Sequence, residues 1–170
     1  MSNRNHLIRK YDERKLRWQR IFVALVILFV IALLIFRFVA GISIVNGDSM
    51  LPTLQNGELT AYFRLVSDYD RGDIVSVRMP SGEYYVKRVI AVAGDVVDIK
   101  DGKLFINGEE LDEPYVQGIT EVPIDGIEVP YTVEEDKVFV LGDNRENSVD
   151  SRTFGAVLTK EVQGKLLFVQ

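Results

Sequence analysis

Ile21 to Phe36 is a run of sixteen residues without a polar side chain, IFVALVILFVIALLIF, and it resumes after Arg37 with Phe38, Val39 and Ala40. At ~1.5 Å rise per residue, twenty residues span roughly 30 Å, about the hydrocarbon thickness of a bilayer. Arg37 sits near the end of the run, where its long stem can carry the guanidinium to the headgroups. A core helix would show a polar face. A cleavable leader has an apolar stretch of only ~7–15 residues and ends at a small-x-small site, which Phe38-Val39-Ala40 is not. The run therefore reads as a transmembrane helix over residues 21–40. Ahead of it stand seven basic residues, Arg4, Arg9, Lys10, Arg14, Lys15, Arg17 and Arg20, against Asp12 and Glu13. The basic bias makes 1–20 a cytoplasmic tail and 41–170 an external domain of a single-pass plasma-membrane protein.

Composition narrows the chemistry. Apolar residues make up 47% of the 170 and the net charge is −5, which excludes a disordered chain. The first twenty residues carry +5 and the remaining 150 carry −10, so the body of the protein is not a general nucleic-acid binder. Cysteine is absent and His6 is the one histidine, on the far side of the span from the external domain. Thiolate nucleophiles, Ser-His-Asp triads and Cys/His metal sites fall away. No cofactor or metal is expected. Ser or Thr remains as nucleophile, activated by Lys or a carboxylate.

Beyond the span the pattern becomes short β-branched runs broken by turn residues: Ile42–Val45, Glu58–Phe63, Ile74–Arg78, Tyr84–Val92, Val96–Lys100, Lys103–Ile106, Lys137–Leu141 and Gly164–Val169. Asp101-Gly102 between VVDIK and KLFIN is a hairpin turn, and only Thr159–Val162 suggests a helical turn. The reading is an all-β, antiparallel external domain. Residues 108–135 are acidic and hold three of the five prolines, which marks a loop-rich insertion.

Four segments stand out chemically. Gly47-Asp48-Ser49-Met50-Leu51-Pro52 sets a serine among turn formers, and by itself reads more readily as a turn than as a site. Arg71-Gly72-Asp73 opens a strand; an adhesion tripeptide is the other reading of it in an external domain. Tyr84 to Asp95 places Lys87 in an otherwise apolar strand, where Tyr85, Lys87 and Val89 share one face and Val86, Arg88 and Ile90 the other. A lysine desolvated there loses stability in its charged form, and a fall from ~10.4 to near 7–8 would supply a neutral amine able to take a serine's proton. A lysine snorkelling at a strand edge is the competing account. Gly142 to Arg152, GDNRENSVDSR, is a dense polar loop too specific to be generic.

In this order, behind an N-terminal anchor, these segments resemble bacterial type I signal peptidases, the serine–lysine family that cleaves secretory signal peptides. The matches run from Ile42 to Val157. The resemblance implies an antiparallel β catalytic core with a smaller inserted β subdomain at about 96–140. It makes Ser49 the nucleophile, with its backbone N–H in an oxyanion hole, and Lys87 the general base. Ser148 would orient the lysine amine. Asp150 and Arg152 would form a supporting ion pair, with Asp143, Asn144 and Arg145 shaping the same loop. Val45, Met50, Leu54, Tyr85 and Val86 would line pockets for small substrate residues at −1 and −3. The implied partners are secretory preproteins, entering as an extended strand beside 84–88, and the lipid bilayer, with the chain a monomer. Ser49 lies nine residues beyond Ala40, at most about 30 Å from the membrane boundary at ~3.3 Å per extended residue.

Three features depart from the commoner pattern. Gly47 stands where some members place a serine that donates to the oxyanion, Glu146 stands where aspartate is commoner, and there is one span rather than two. Gly47 and the single span match the Gram-positive-like form. The alternatives are a non-catalytic relative acting as an assembly factor or chaperone for surface polymers, a soluble self-cleaving Ser/Lys repressor-type protease, and an aspartic mechanism using Asp73, Asp95 or Asp143.

Overall fold

The computed structural model describes residues 2–167, with side chains from Arg14 onward. The chain divides into two units, residues 1–39 and 40–170. The first is helix α1 (Ser2–Val39). Its 38 residues are about 57 Å long at 1.5 Å per residue, roughly twice a hydrocarbon core. The basic tail and the apolar run are thus one continuous helix, longer than the expected 21–40. Its stretch Arg14–Val39 is long and apolar enough to cross a membrane. Phe22, Leu28, Phe29 and Phe36 are all exposed, so the stretch from Ile21 to Phe36 has no polar face to turn to water and requires an apolar solvent.

The second unit is built from strands β1 (Ala40–Ile44), β2 (Leu59–Phe63), β3 (Ile74–Arg78), β4 (Tyr84–Val92), β5 (Val96–Lys100), β6 (Lys103–Ile106), β7 (Glu109–Glu110), β8 (Tyr131–Thr132), β9 (Lys137–Leu141), β10 (Val157–Leu158) and β11 (Val162–Leu166), with a short helix α2 (Ser151–Phe154). Seven strands form an antiparallel sheet in the order β1-β2-β11-β3-β4-β9-β10; β7-β6-β5-β8 form a second sheet. The second sheet is inserted between β4 and β9, which are neighbours in the first. Strands β3, β4, β5, β6 and β9 have the expected ends. The last strand starts two residues earlier than the expected 164, and residues 168 and 169 of that expectation lie outside the described residues. A 3-10 turn covers Thr159–Glu161, and a second, unforeseen, covers Arg145–Asn147.

Strand β9 shows why the two sheets pack. Its alternate residues serve two cores: Phe139 and Leu141 join Ile90, Val97, Leu104, Ile106 and Val133 between the sheets. Val138 and Val140 join Val75, Val77 and Val89 on the other side. A strand buried on both faces reads as a continuous apolar run, which KVFVL is. The register of β4 against β9 shifts between Val89 and Ala91.

Asp95 fastens the insertion where it leaves β4. It accepts hydrogen bonds from Arg71 Nε, the Val92 amide and Asn107 Nδ2, each at 2.9 Å. Burial pushes its carboxyl up, but these bonds outweigh it and hold the group below the usual carboxylate range. Arg71-Gly72-Asp73 is therefore an internal turn: Arg71 pairs with Asp95, and Asp73 with Lys165 at 2.5 Å.

Candidate active site

Ser49 lies in the turn that follows β1, and Lys87 lies in β4, thirty-eight residues later; the fold sets Lys87 Nζ 2.6 Å from Ser49 Oγ. Lys87 is 4% exposed. Burial lowers its amine to about 8, against an opposing pull from Asp150, a further lowering by Arg152 and a second opposing pull from Asp143. Tyr85, two residues earlier on the same face, sets its ring centroid 5.5 Å from Lys87 Nζ. A snorkelling lysine would reach water; this one is enclosed. Charged, the amine donates to the serine oxygen; neutral, it can accept the hydroxyl proton across the same contact.

The two residues border a cleft of about 380 Å³ between the β1 end, Ser43–Val45, and the β4 stretch Tyr84–Lys87. Strand β9 pairs with β4 only from Arg88 onward, so this part of β4 has a partner on the β3 side alone. Val45, Met50, Tyr85 and Val86 line the cleft. Leu54 does not: it is fully buried beneath, packed with Met50, Val45 and Ile74. Its place is to support the lining rather than to form it.

The polar loop after β9 closes the site. The Asn144 amide donates to the Ser49 carbonyl at 3.0 Å, and Asn144 Nδ2 donates to the Asp48 carbonyl at 3.1 Å. Asp143, fully buried, accepts Arg88 Nε at 2.9 Å, Arg88 Nη2 at 2.6 Å and the Thr53 hydroxyl. Asp150 accepts Arg152 Nε and Nη2, both at 2.9 Å, and the Gly142 amide at 3.1 Å. Arg145 is buried against Glu113. A Cβ at Gly142 would collide with Ser148 Oγ and the Ser49 carbonyl, so the loop can approach Ser49 this closely only with glycine there.

Ser148 differs from the expectation. Its Oγ is buried with no hydrogen-bond partner among the described residues, and the lysine amine bonds Ser49 instead. Gly47 has φ +96° and donates its amide to Asn56 Oδ1 at 3.0 Å. Asp73, Asp95 and Asp143 each pair with a different cation, and none faces another of the three, which speaks against a carboxylate dyad. Arg88, Thr53, Glu113 and Tyr115 were not singled out from the sequence. Arg88 adjoins Lys87 and could have been found by asking what neutralises Asp143; Glu113 and Tyr115 sit in an insertion whose composition suggests only loop.

An anchored β domain with a buried lysine held on a serine beside a strand-lined cleft is the architecture of a membrane-bound serine peptidase. The family described as "Signal peptidase, peptidase S26" matches residues 18–170. Signal peptidase I S of Bacillus subtilis is 40% identical over 165 residues, covering 91% of this chain and 88% of that protein. Signal peptidase I T of the same organism is 35% identical over 179 residues, covering 99% and 91%. The crystal structure of a signal peptidase I from Enterococcus faecalis V583 superposes with a TM-score of 0.50 at 34% identity, covering 59% of this chain and 97% of that one. The chain belongs to the signal peptidase S26 family.

Proposed function

We propose that this chain removes signal peptides from secretory preproteins, with Ser49 as nucleophile and unprotonated Lys87 as general base. The observation that carries the reading is the 2.6 Å contact between a buried lysine amine and a serine hydroxyl at the edge of a cleft. Lys87 takes the hydroxyl proton as Ser49 Oγ attacks the scissile carbonyl, and the Ser49 amide stabilises the oxyanion. The resulting ammonium gives its proton to the leaving amine, which departs with the mature protein. A water deprotonated by Lys87 then hydrolyses the acyl-enzyme and restores the serine.

The open stretch of β4 gives an incoming peptide main-chain partners, and Val45, Met50, Tyr85 and Val86 bound the space for side chains at −1 and −3. The helix α1 holds the chain in the membrane, with its basic end cytoplasmic and the β domain outside, where preprotein cleavage sites emerge. The assembly-factor alternative has no support in a site with both reacting groups in contact.

A preprotein with alanine at −1 and −3 should be cleaved by the full chain in lipid or detergent. Phenylalanine at −1 should lower kcat/KM on the order of 100-fold, since the ring must displace packed lining. Equal cleavage of both substrates would contradict the assigned cleft.

A further inference from the structure

The acidic insertion grips the catalytic loop through a set of contacts that the proposed chemistry does not use. Glu113 Oε2 accepts Arg145 Nη1 at 3.0 Å and its Oε1 accepts Nη2 at 2.5 Å, a bidentate pair whose side chains are 9% and 0% exposed. Thr120 Oγ1 accepts a second bond from Arg145 Nη1 at 2.6 Å, and Arg145 Nε reaches the Gly142 carbonyl at 3.0 Å. Between these two residues the main chains are joined: the Gln117 amide donates to the Asp143 carbonyl and the Arg145 amide to the Gln117 carbonyl, both at 2.8 Å. They bracket Asn144, the residue that holds the carbonyls of Asp48 and Ser49. Tyr115 adds a second arm, its hydroxyl donating to Glu113 at 3.1 Å and its ring stacked 3.8 Å from the Arg88 guanidinium that holds Asp143. Glu146 Oε1 accepts the Ile119 amide at 3.3 Å.

We propose that Glu113 is a positioning residue for Ser49, acting through Arg145, and that segment 113–120 braces the loop against which the nucleophile is set. The inference rests on Ser49 being the nucleophile. The relay is short: Glu113 fixes Arg145, Arg145 and Gln117 fix Gly142 through Asn144, and those residues contact the Ser49 backbone. Misplacing a reacting atom by about 1 Å can reduce rate by about 100-fold without altering the residues that bind substrate. A brace of this kind acts chiefly on kcat: the loop borders the cleft only through Asn147 and Val149, and the lining at β1 and β4 is not part of the brace.

The test is a double-mutant cycle in the full chain, in detergent or lipid, on a preprotein with a small-x-small site. Glu113→Ala should lower kcat about 10- to 100-fold with KM within about threefold of wild type. Arg145→Met should do the same, and the double variant should be no slower than Arg145→Met alone, since both remove one relay. Glu113→Gln, which keeps an acceptor for the guanidinium, should recover part of the loss. Should Glu113→Ala fail to fold at the assay temperature, Glu113→Gln replaces it in the cycle, with a smaller loss of kcat expected, KM unchanged and the double variant again no slower than Arg145→Met alone. Wild-type kcat in the Glu113 variant, a loss confined to KM, or losses that multiply in the double variant would each overturn the proposal. A wild type that does not cleave at all would overturn the peptidase reading instead, before the cycle is read.

Discussion

Lys87→Met should fold more stably than the wild type at pH 7, by about 3 kcal/mol, while losing its peptidase activity. The amine is lowered from 10.5 to about 8, and each pKa unit corresponds to about 1.36 kcal/mol between the charged and neutral forms. Below pH 8 the lysine is charged in both folded and unfolded chains, so the fold carries the full desolvation penalty. Between pH 8 and 10.5 the unfolded chain binds more protons than the folded one, so wild-type stability rises with pH across that window. Methionine has similar volume and no charge, so its advantage should be largest at neutral pH and should fade towards pH 10.5. Among the described residues the substitution loses the hydrogen bond to Ser49, a half-buried residue whose hydroxyl can turn to water, and the cation–π contact with Tyr85. Denaturant unfolding of both proteins in detergent, at pH 7 and pH 10, measures the difference; a less stable Lys87→Met at pH 7 would mean that the buried ammonium is not under strain. The same titration sets the wild-type activity profile, whose acid limb should lie near pH 8.

Asp150→Ala should be among the most damaging changes outside the Ser49–Lys87 pair, with a loss of about 3–5 kcal/mol in stability. Asp150 is fully buried and its partner Arg152 is 4% exposed, so the variant strands a guanidinium in the interior. The carboxylate also caps α2, accepting the Arg152 amide, and ties the Gly142 amide to the same centre. Asp150→Asn keeps the shape and should fold better than the alanine variant. It removes the carboxylate that favours the charged form of Lys87, so the acid limb of its activity should move below that of the wild type. Unchanged melting of Asp150→Ala, or an acid limb of Asp150→Asn displaced to higher pH, would contradict the described electrostatics.

What the sequence reveals follows from how local the cause is. Strands β3 to β6 and β9 are legible because each is a run of four to nine apolar or β-branched residues bounded by turn formers. Strands β7, β8 and β10 are two residues each, too short for any period to register, and exist because a neighbouring strand offers an edge. The start of β11 is obscured by Gly164, which sits at φ +158° against the Phe63 carbonyl where β11 shifts register on β3. Helix α2 is only four residues long, and its local signals are the Asp150 cap and Gly155 just past its end. At the site, Ser49, Lys87 and the loop from Gly142 are legible because they are contiguous motifs. The family resemblance makes Leu54 a lining residue, whereas the chain turns it into the core. The Glu113–Arg145 pair is invisible for the opposite reason: thirty-two residues separate partners that only the folded insertion brings together.

The central claim is that Ser49 and Lys87 are one catalytic unit, and turnover of a preprotein by wild type, Ser49→Ala and Lys87→Arg tests it most directly. Lys87→Arg keeps the positive charge but cannot act as a base, because a guanidinium does not deprotonate in a protein. Both variants should lose roughly 1,000-fold or more in kcat, and their losses should not add when combined, because they remove the same step. Near-wild-type cleavage by either variant would place the nucleophile or the base elsewhere and contradict the account.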